Sequence, residues 1–172
     1  LTPRKGVDKT IEAVSLLAKK HPDLLYVVVG SGDDKERLVK LAKEKWLDDR
    51  VIFAGRVSDE DLLRFYARAD MFILASREEG RDIEGFGLVF VEAGAFSVPV
   101  IGGDSGGVRQ AVLQGYNGLL VEPESPTAIA EAIERLILDP ELAAVFGKNG
   151  RKLATEVFTW QNCQRALLDS LH

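Results

Sequence analysis

Five short apolar runs, at residues 24–29, 51–53, 71–74, 98–102 and 118–121, each give way to a polar segment and then to a stretch with helical periodicity. That alternation is the strongest constraint on what this chain can fold into. The run Leu-Leu-Tyr-Val-Val-Val at 24–29 has no polar face, which suits a parallel strand covered on both sides. Between the runs, Val7, Ile11, Val14 and Leu17 recur at helical spacing, with Asp8 in the first turn, Lys19, Lys20 and His21 in the last, and Pro22 as the stop. Further helices are predicted over 35–46, over 59–68 with Ser58 as N-cap, from Gly106-Gly107 to Leu113, over 127–138 capped by Ser125, over 141–156 and over 160–171. Connections of two to six residues between them predict an α/β fold, a doubly wound parallel sheet of Rossmann-like type. Ligands of such sheets bind at the carboxyl ends of the strands, where the glycines of 30–32, 55, 85–87 and 102–107 would converge.

Composition bounds the possibilities further. At 172 residues and 46% apolar, one compact domain burying roughly 70% of its unfolded surface is expected. A net charge of −5 argues against nucleic acid as the main partner, because a phosphate backbone demands a basic face. No apolar run approaches the roughly 18 residues of a membrane span. The lone Cys163, expected as a buried thiol behind Trp160, and the lack of a signal-peptide pattern point to a reducing cytoplasm.

Residues 76–100 carry the chemistry. An apolar strand runs into a polar loop with Gly85 and Gly87, and a helix opens near Gly87 with Glu92 inside its second turn. The unpaired amides of Gly87, Leu88 and Val89 sit at the positive end of the helix dipole and can hold a phosphate or diphosphate. Glu84 and Glu92, separated by seven residues, can face a ligand over the helix start, and either carboxylate suits a sugar diol. The side chains of Leu88 and Val89 are expected to pack in the core at the same time.

Glu-x7-Glu enclosing Gly-Phe-Gly resembles the signature of the large retaining glycosyltransferase family 4. The resemblance runs from Lys5-Gly6 through Gly30-Ser31-Gly32, Phe53-Ala54-Gly55-Arg56-Val57, Ala69-Asp70, Glu92-Ala93, Pro99-Val100-Ile101 and Gly106-Gly107 to Gly118-Leu119-Leu120-Val121. It implies the carboxy-terminal, donor-binding half of a GT-B enzyme that transfers a hexosyl group from a UDP- or GDP-sugar with retention and without a metal cofactor. In that family the residue matching Glu92 holds the ribose hydroxyls and the one matching Glu84 lies near the donor sugar. Phe86, Gly87, Leu88 and Val89 match positions whose amides meet sugar and diphosphate. Lys5 matches the diphosphate-binding lysine, a compact cation suited to a leaving diphosphate. Gly30 and Gly32 match the glycine turn after a strand, and Arg56 and Val57 the turn that meets the base. The Arg81-Asp82-Ile83 insertion resembles a subset with lipid-linked mannosyltransferases, a lead toward GDP-mannose, although members using UDP-sugars share most of these residues. Alternatives are a nucleotide-sugar epimerase-like enzyme and a non-catalytic nucleotide-binding module.

The resemblance also implies what this chain lacks. Members carry a buried strand ending in Gly-Arg just before the residues that match 1–6, so the chain is expected to be a fragment without that central strand. Its arginine would be missing as a partner of Lys5, with Arg4 a doubtful substitute. An amino-terminal acceptor-binding domain is an expected partner, and so is peripheral membrane association of a full enzyme through that domain. Other features read more plainly. Gly30 and Gly32 alone are a weak dinucleotide fingerprint, with Lys35 where a third glycine would stand. Gly106-Gly107 would admit a phosphate or cap a helix, and Gln110 stands where the family commonly has glutamate. Asp59-Glu60-Asp61 spells a metal-binding D-x-D but follows the cap Ser58, so an acidic first turn and no metal are expected. His21 and His172 end a helix and the chain and suggest no site.

Overall fold

The computed structural model describes residues 1–80, 84–158 and 162. Among the described residues, five strands and seven helices follow the expected alternation: α1 (Val7–Leu17), β1 (Tyr26–Val29), α2 (Lys35–Glu44), β2 (Val51–Gly55), α3 (Asp59–Arg68), β3 (Phe72–Leu74), α4 (Leu88–Ala95), β4 (Val100–Gly103), α5 (Val108–Ala111), β5 (Gly118–Val121), α6 (Pro126–Leu138) and α7 (Pro140–Lys152). A 3-10 turn over Pro3–Lys5 precedes α1, and α7 widens into a π-helical segment over Leu153–Val157. Residues 81–83, the expected helix at 160–171, Cys163 and His172 lie outside the described residues.

Among the described residues the paired strands run parallel and form two sheets, β1–β2 and β3–β4–β5. The larger sheet is wound on both faces. On β4, Ile101 points into a cluster with Leu119 of β5 and with Ile129, Ile133 and Phe146 of α6 and α7, while its neighbour Val100 points the other way to Tyr66, Phe90 and Val108. This is the strand alternation of period two with apolar residues at both phases. The smaller sheet buries Val28 and Val51 against Ile11, Val14, Leu38 and Leu47, but Ile52 on its other side is exposed. Covering on both sides, expected from the run at 24–29, is therefore realised in full only on the larger sheet.

Helix α1 and the segment before it join the two sheets. Val7, Ile11 and Val14 pack on β1–β2, whereas Ala13 and Leu17, one stripe round the helix, pack against α6 and the larger sheet. Residues 1–6 lie across the carboxyl ends of both. The Leu1 amino group bonds to the Ser31 carbonyl and Asp34 donates to Leu1 after β1, while Arg77 donates its amide to the Arg4 carbonyl (2.9 Å) after β3. Gly6 sits so close to Ala75 that a Cβ would lie 1.9 Å from its carbonyl oxygen, and its φ of 64° favours glycine as well.

Candidate functional site

The segments after β3 and β4 meet beside the amino terminus of α4, where Ser105 Oγ donates to the Ser76 carbonyl at 2.7 Å. The N-cap of α4 is Gly87, left-handed at φ 76°, with no side-chain cap; Phe90 donates its amide to the Gly87 carbonyl at 3.0 Å. The helices divide by their caps: α1, α2 and α5, like α4, have no side-chain cap. Ser58, Ser125 and Asp139 each accept an amide bond at the starts of α3, α6 and α7, so those N-termini are closed by their own side chains. Helix α4 starts on a residue that has no side chain to offer, leaving the amides of Leu88 and Val89 uncapped by a side chain. Leu88 is 67% exposed, which corrects the expectation that its side chain packs in the core; the first residue of the helix projects away from the sheet. Val89 does pack on the Tyr66–Phe90 cluster.

Lys5 and Glu84, 79 residues apart in sequence, are brought into direct contact. Lys5 Nζ and Arg4 Nη1 both donate to Glu84 Oε2, at 2.8 and 2.7 Å. Arg4 and Glu84 side chains are largely buried there, so each charged bond contributes about 1.5–3 kcal/mol. Burial alone would raise the Glu84 carboxyl, but Lys5 and then Arg4 outweigh it and hold the group below its ordinary range. Arg4 thus stands beside Lys5 as a second cation. The turn that presents them is held from below by Arg77, whose guanidinium makes a bidentate pair with the buried Asp8 (2.9 and 3.1 Å) and reaches Glu124 (3.2 Å). Burial raises the Asp8 carboxyl, and Arg77 brings it below its ordinary value. Neither Arg77 nor the burial of Asp8 was legible from the sequence, because the partners come from α1 and the end of β3.

Glu92 lies exposed on α4 and accepts one hydrogen bond, from the Tyr66 hydroxyl to Oε2 at 2.9 Å. Phe86 is half-buried with its ring edge-on to Phe158, centroids 5.0 Å apart. On the smaller sheet, Gly30 donates its amide to the Gly55 carbonyl, Arg56 Nε bonds to Ser31 Oγ (3.1 Å), and Val57 lines a cleft of about 640 Å³ with Ala54, Phe65 and Arg68. Gly32 faces the Leu1 backbone, which a Cβ would meet at 1.9 Å. Gly106 and Gly107 give way in the same manner to the chain itself: a Cβ would strike the Glu84 and Gly85 carbonyls at 2.5 and 1.8 Å, and Gly107 donates its amide to Glu84 O. Their openness seats the backbone of the Glu84 loop.

The D-x-D triplet forms the first turn of α3, where Asp61 and Glu60 bond to Arg64 and Ser58 caps the helix. Among the described residues no group of three or more His, Cys, Asp or Glu side chains could hold a metal, and no helix is long and apolar enough to cross a membrane. Helix α1 ends at Leu17, so Lys19, Lys20 and His21 lie beyond it and not in its last turn as expected; His21 there meets Glu134 of α6 at 2.8 Å.

Residues 1–153 match the family model described as glycosyl transferases group 1. The chain is 36% identical over 173 aligned residues to a GDP-mannose-dependent alpha-(1-6)-phosphatidylinositol monomannoside mannosyltransferase of Mycobacterium tuberculosis, covering 99% of this chain and 45% of that protein. Among solved structures, Anabaena Alr3699/HepE in complex with UDP and glucose is similar at a TM-score of 0.86 and 26% identity over 99% of this chain and 45% of that one. The C-terminal domain of a glycosyl transferase group 1 protein (LpcC) from Francisella tularensis superposes at 0.80 with 34% identity, over 94% of this chain and 83% of that one. The chain therefore spans less than half the length of the mannosyltransferase it matches. The parallel sheets, the two-sided helix layers and these likenesses agree on the carboxy-terminal half of a GT-B fold, and the chain belongs to the glycosyl transferases group 1 family.

Proposed function

We propose that this chain is the donor-binding half of a retaining glycosyltransferase that moves a hexosyl group from a nucleoside diphosphate sugar to an acceptor held by another domain. The observation that carries it is the convergence of Lys5 and Arg4 on one carboxylate oxygen beside a helix start that no side chain caps. Two cations and a row of amides stabilise the negative charge that grows on a departing diphosphate, and they do so without a metal. Glu84 faces the sugar end, where its carboxylate accepts from hydroxyls or balances developing positive charge. Glu92, one and a half turns into α4, accepts from the ribose diol. Glycine at 30 and 32 with Arg56 and Val57 borders the nucleotide on the other sheet. The mannosyltransferase likeness favours GDP-mannose, and the cytoplasm is the compartment that a lone cysteine suits.

Thermal shifts of the purified chain with UDP, GDP and ADP test the reading. At 100-fold excess over Kd one nucleotide should add about 2.7 kcal/mol, a rise on the order of 5–10 °C for this size. Glu92→Ala should abolish that rise, and EDTA should leave it unchanged. Stabilisation that persists in Glu92→Ala, or that EDTA removes, would count against the site as drawn.

A further inference from the structure

A buried titratable group stands beside the exposed carboxylate of Glu92. Tyr66, on α3, is only 6% exposed, yet its hydroxyl reaches out of the core to the exposed Glu92 on α4. The ring cannot turn freely. It stacks on Phe96 at 5.8 Å with planes 21° apart, meets Phe72 at 5.9 Å, and Phe72 in turn stands edge-on to Phe90 at 5.6 Å. An exposed glutamate has three side-chain torsions and would ordinarily sample several positions; a donor fixed by an aromatic cluster selects one of them. Burial and then the neighbouring Glu92 push the phenol well above its ordinary value, so the hydroxyl remains a donor throughout the physiological range. Of the two carboxylate oxygens Tyr66 engages Oε2, which leaves Oε1 and the second lone pair of Oε2 for a ligand.

We propose that Tyr66 is a positioning residue that pre-orients the Glu92 carboxylate for a vicinal diol of the nucleotide. This rests on the reading of Glu92 as the ribose-binding group. The contact lies between two helices that pack on the same face of the larger sheet, so the hydroxyl converts the rigidity of the core into order at an exposed carboxylate. Tyr66→Phe removes only that hydroxyl and leaves the ring packing and an exposed, solvated Glu92, so the fold should survive.

The test is isothermal titration of the parent chain, Tyr66→Phe, Glu92→Ala and the double variant with GDP, UDP, ADP and the 2′-deoxy form of whichever binds. Tyr66→Phe should weaken the ribonucleotide roughly three- to tenfold, the range set by ordering one rotamer-rich side chain. The loss should vanish for the 2′-deoxy nucleotide and in the Glu92→Ala background, a coupling that general loosening of the fold would not produce. Equal losses with both nucleotides, or unchanged affinity in Tyr66→Phe while Glu92→Ala is impaired, would overturn the positioning role alone. Binding insensitive to Glu92→Ala, or no binding of any nucleotide by the parent, would overturn the ribose reading and this inference together.

Discussion

The two glutamates of the motif sit in opposite physical settings. Glu84 is largely buried, accepts from two cations at the chain's first turn, and has its carboxyl held down by them. Glu92 is exposed and accepts from one neutral phenol. A carboxylate that closes ion pairs across 79 and 80 residues ties the chain's first turn to the loop before α4, whereas one restrained by a single neutral donor keeps most of its accepting capacity. Identical chemistry at the two ends of one motif therefore divides into a carboxylate fixed by ion pairs and one held at the surface by a single phenol.

The sharpest way to break that division is to dislodge the turn that carries the cations. Gly6→Ala forces a left-handed φ on alanine and a Cβ into the Ala75 carbonyl, and should cost about 3 kcal/mol. Urea unfolding should register it, and a loss within 0.5 kcal/mol would mean the turn repacks without effort. Next, Glu84→Gln should lose about 2 kcal/mol at pH 7. Because the folded-state carboxyl lies below its ordinary 4.5, its contribution is fully present above that value and fades as pH falls through the lower, folded one. The gap between parent and variant should accordingly narrow progressively as pH falls below 4.5, with Asp8 titrating equally in both. A gap that stays constant would assign the effect to packing. The smallest change in stability belongs to Glu92→Gln, within about 0.5 kcal/mol, accompanied by at least a tenfold loss of nucleotide affinity by titration. Destabilisation as large as that of Glu84→Gln would erase the contrast.

Much of this was legible beforehand because it is local. Alternating periodicities, the Ser58 and Ser125 caps, and the glycine start of α4 each depend on a few neighbouring residues. The helix over Asp59–Arg68 and the strand over Gly118–Val121 fall where the pattern places them. Other expectations required distant partners. Leu88 reads as a core residue but opens the helix outward at 67% exposure, and Arg4 reads as a doubtful cation but shares the Glu84 oxygen with Lys5. Tyr66 carried no signal at all, since an aromatic residue on an amphipathic helix reads as packing alone.

What the sequence by itself determined is the set of pieces and their order: parallel strands, amphipathic helices, a Glu-x7-Glu loop opening onto an uncapped helix, and a lysine at the first turn. Local sterics, hydrogen bonding and hydrophobic period specify these within a window of a few residues. Only the tertiary structure decided which groups meet. It placed Arg4 with Lys5 on Glu84, Arg77 on Asp8, Tyr66 on Glu92, and the chain's own backbone against Gly32, Gly106 and Gly107. Those contacts join residues up to 80 apart, and such pairings arise from how layers pack and where strand ends converge, which no local pattern encodes.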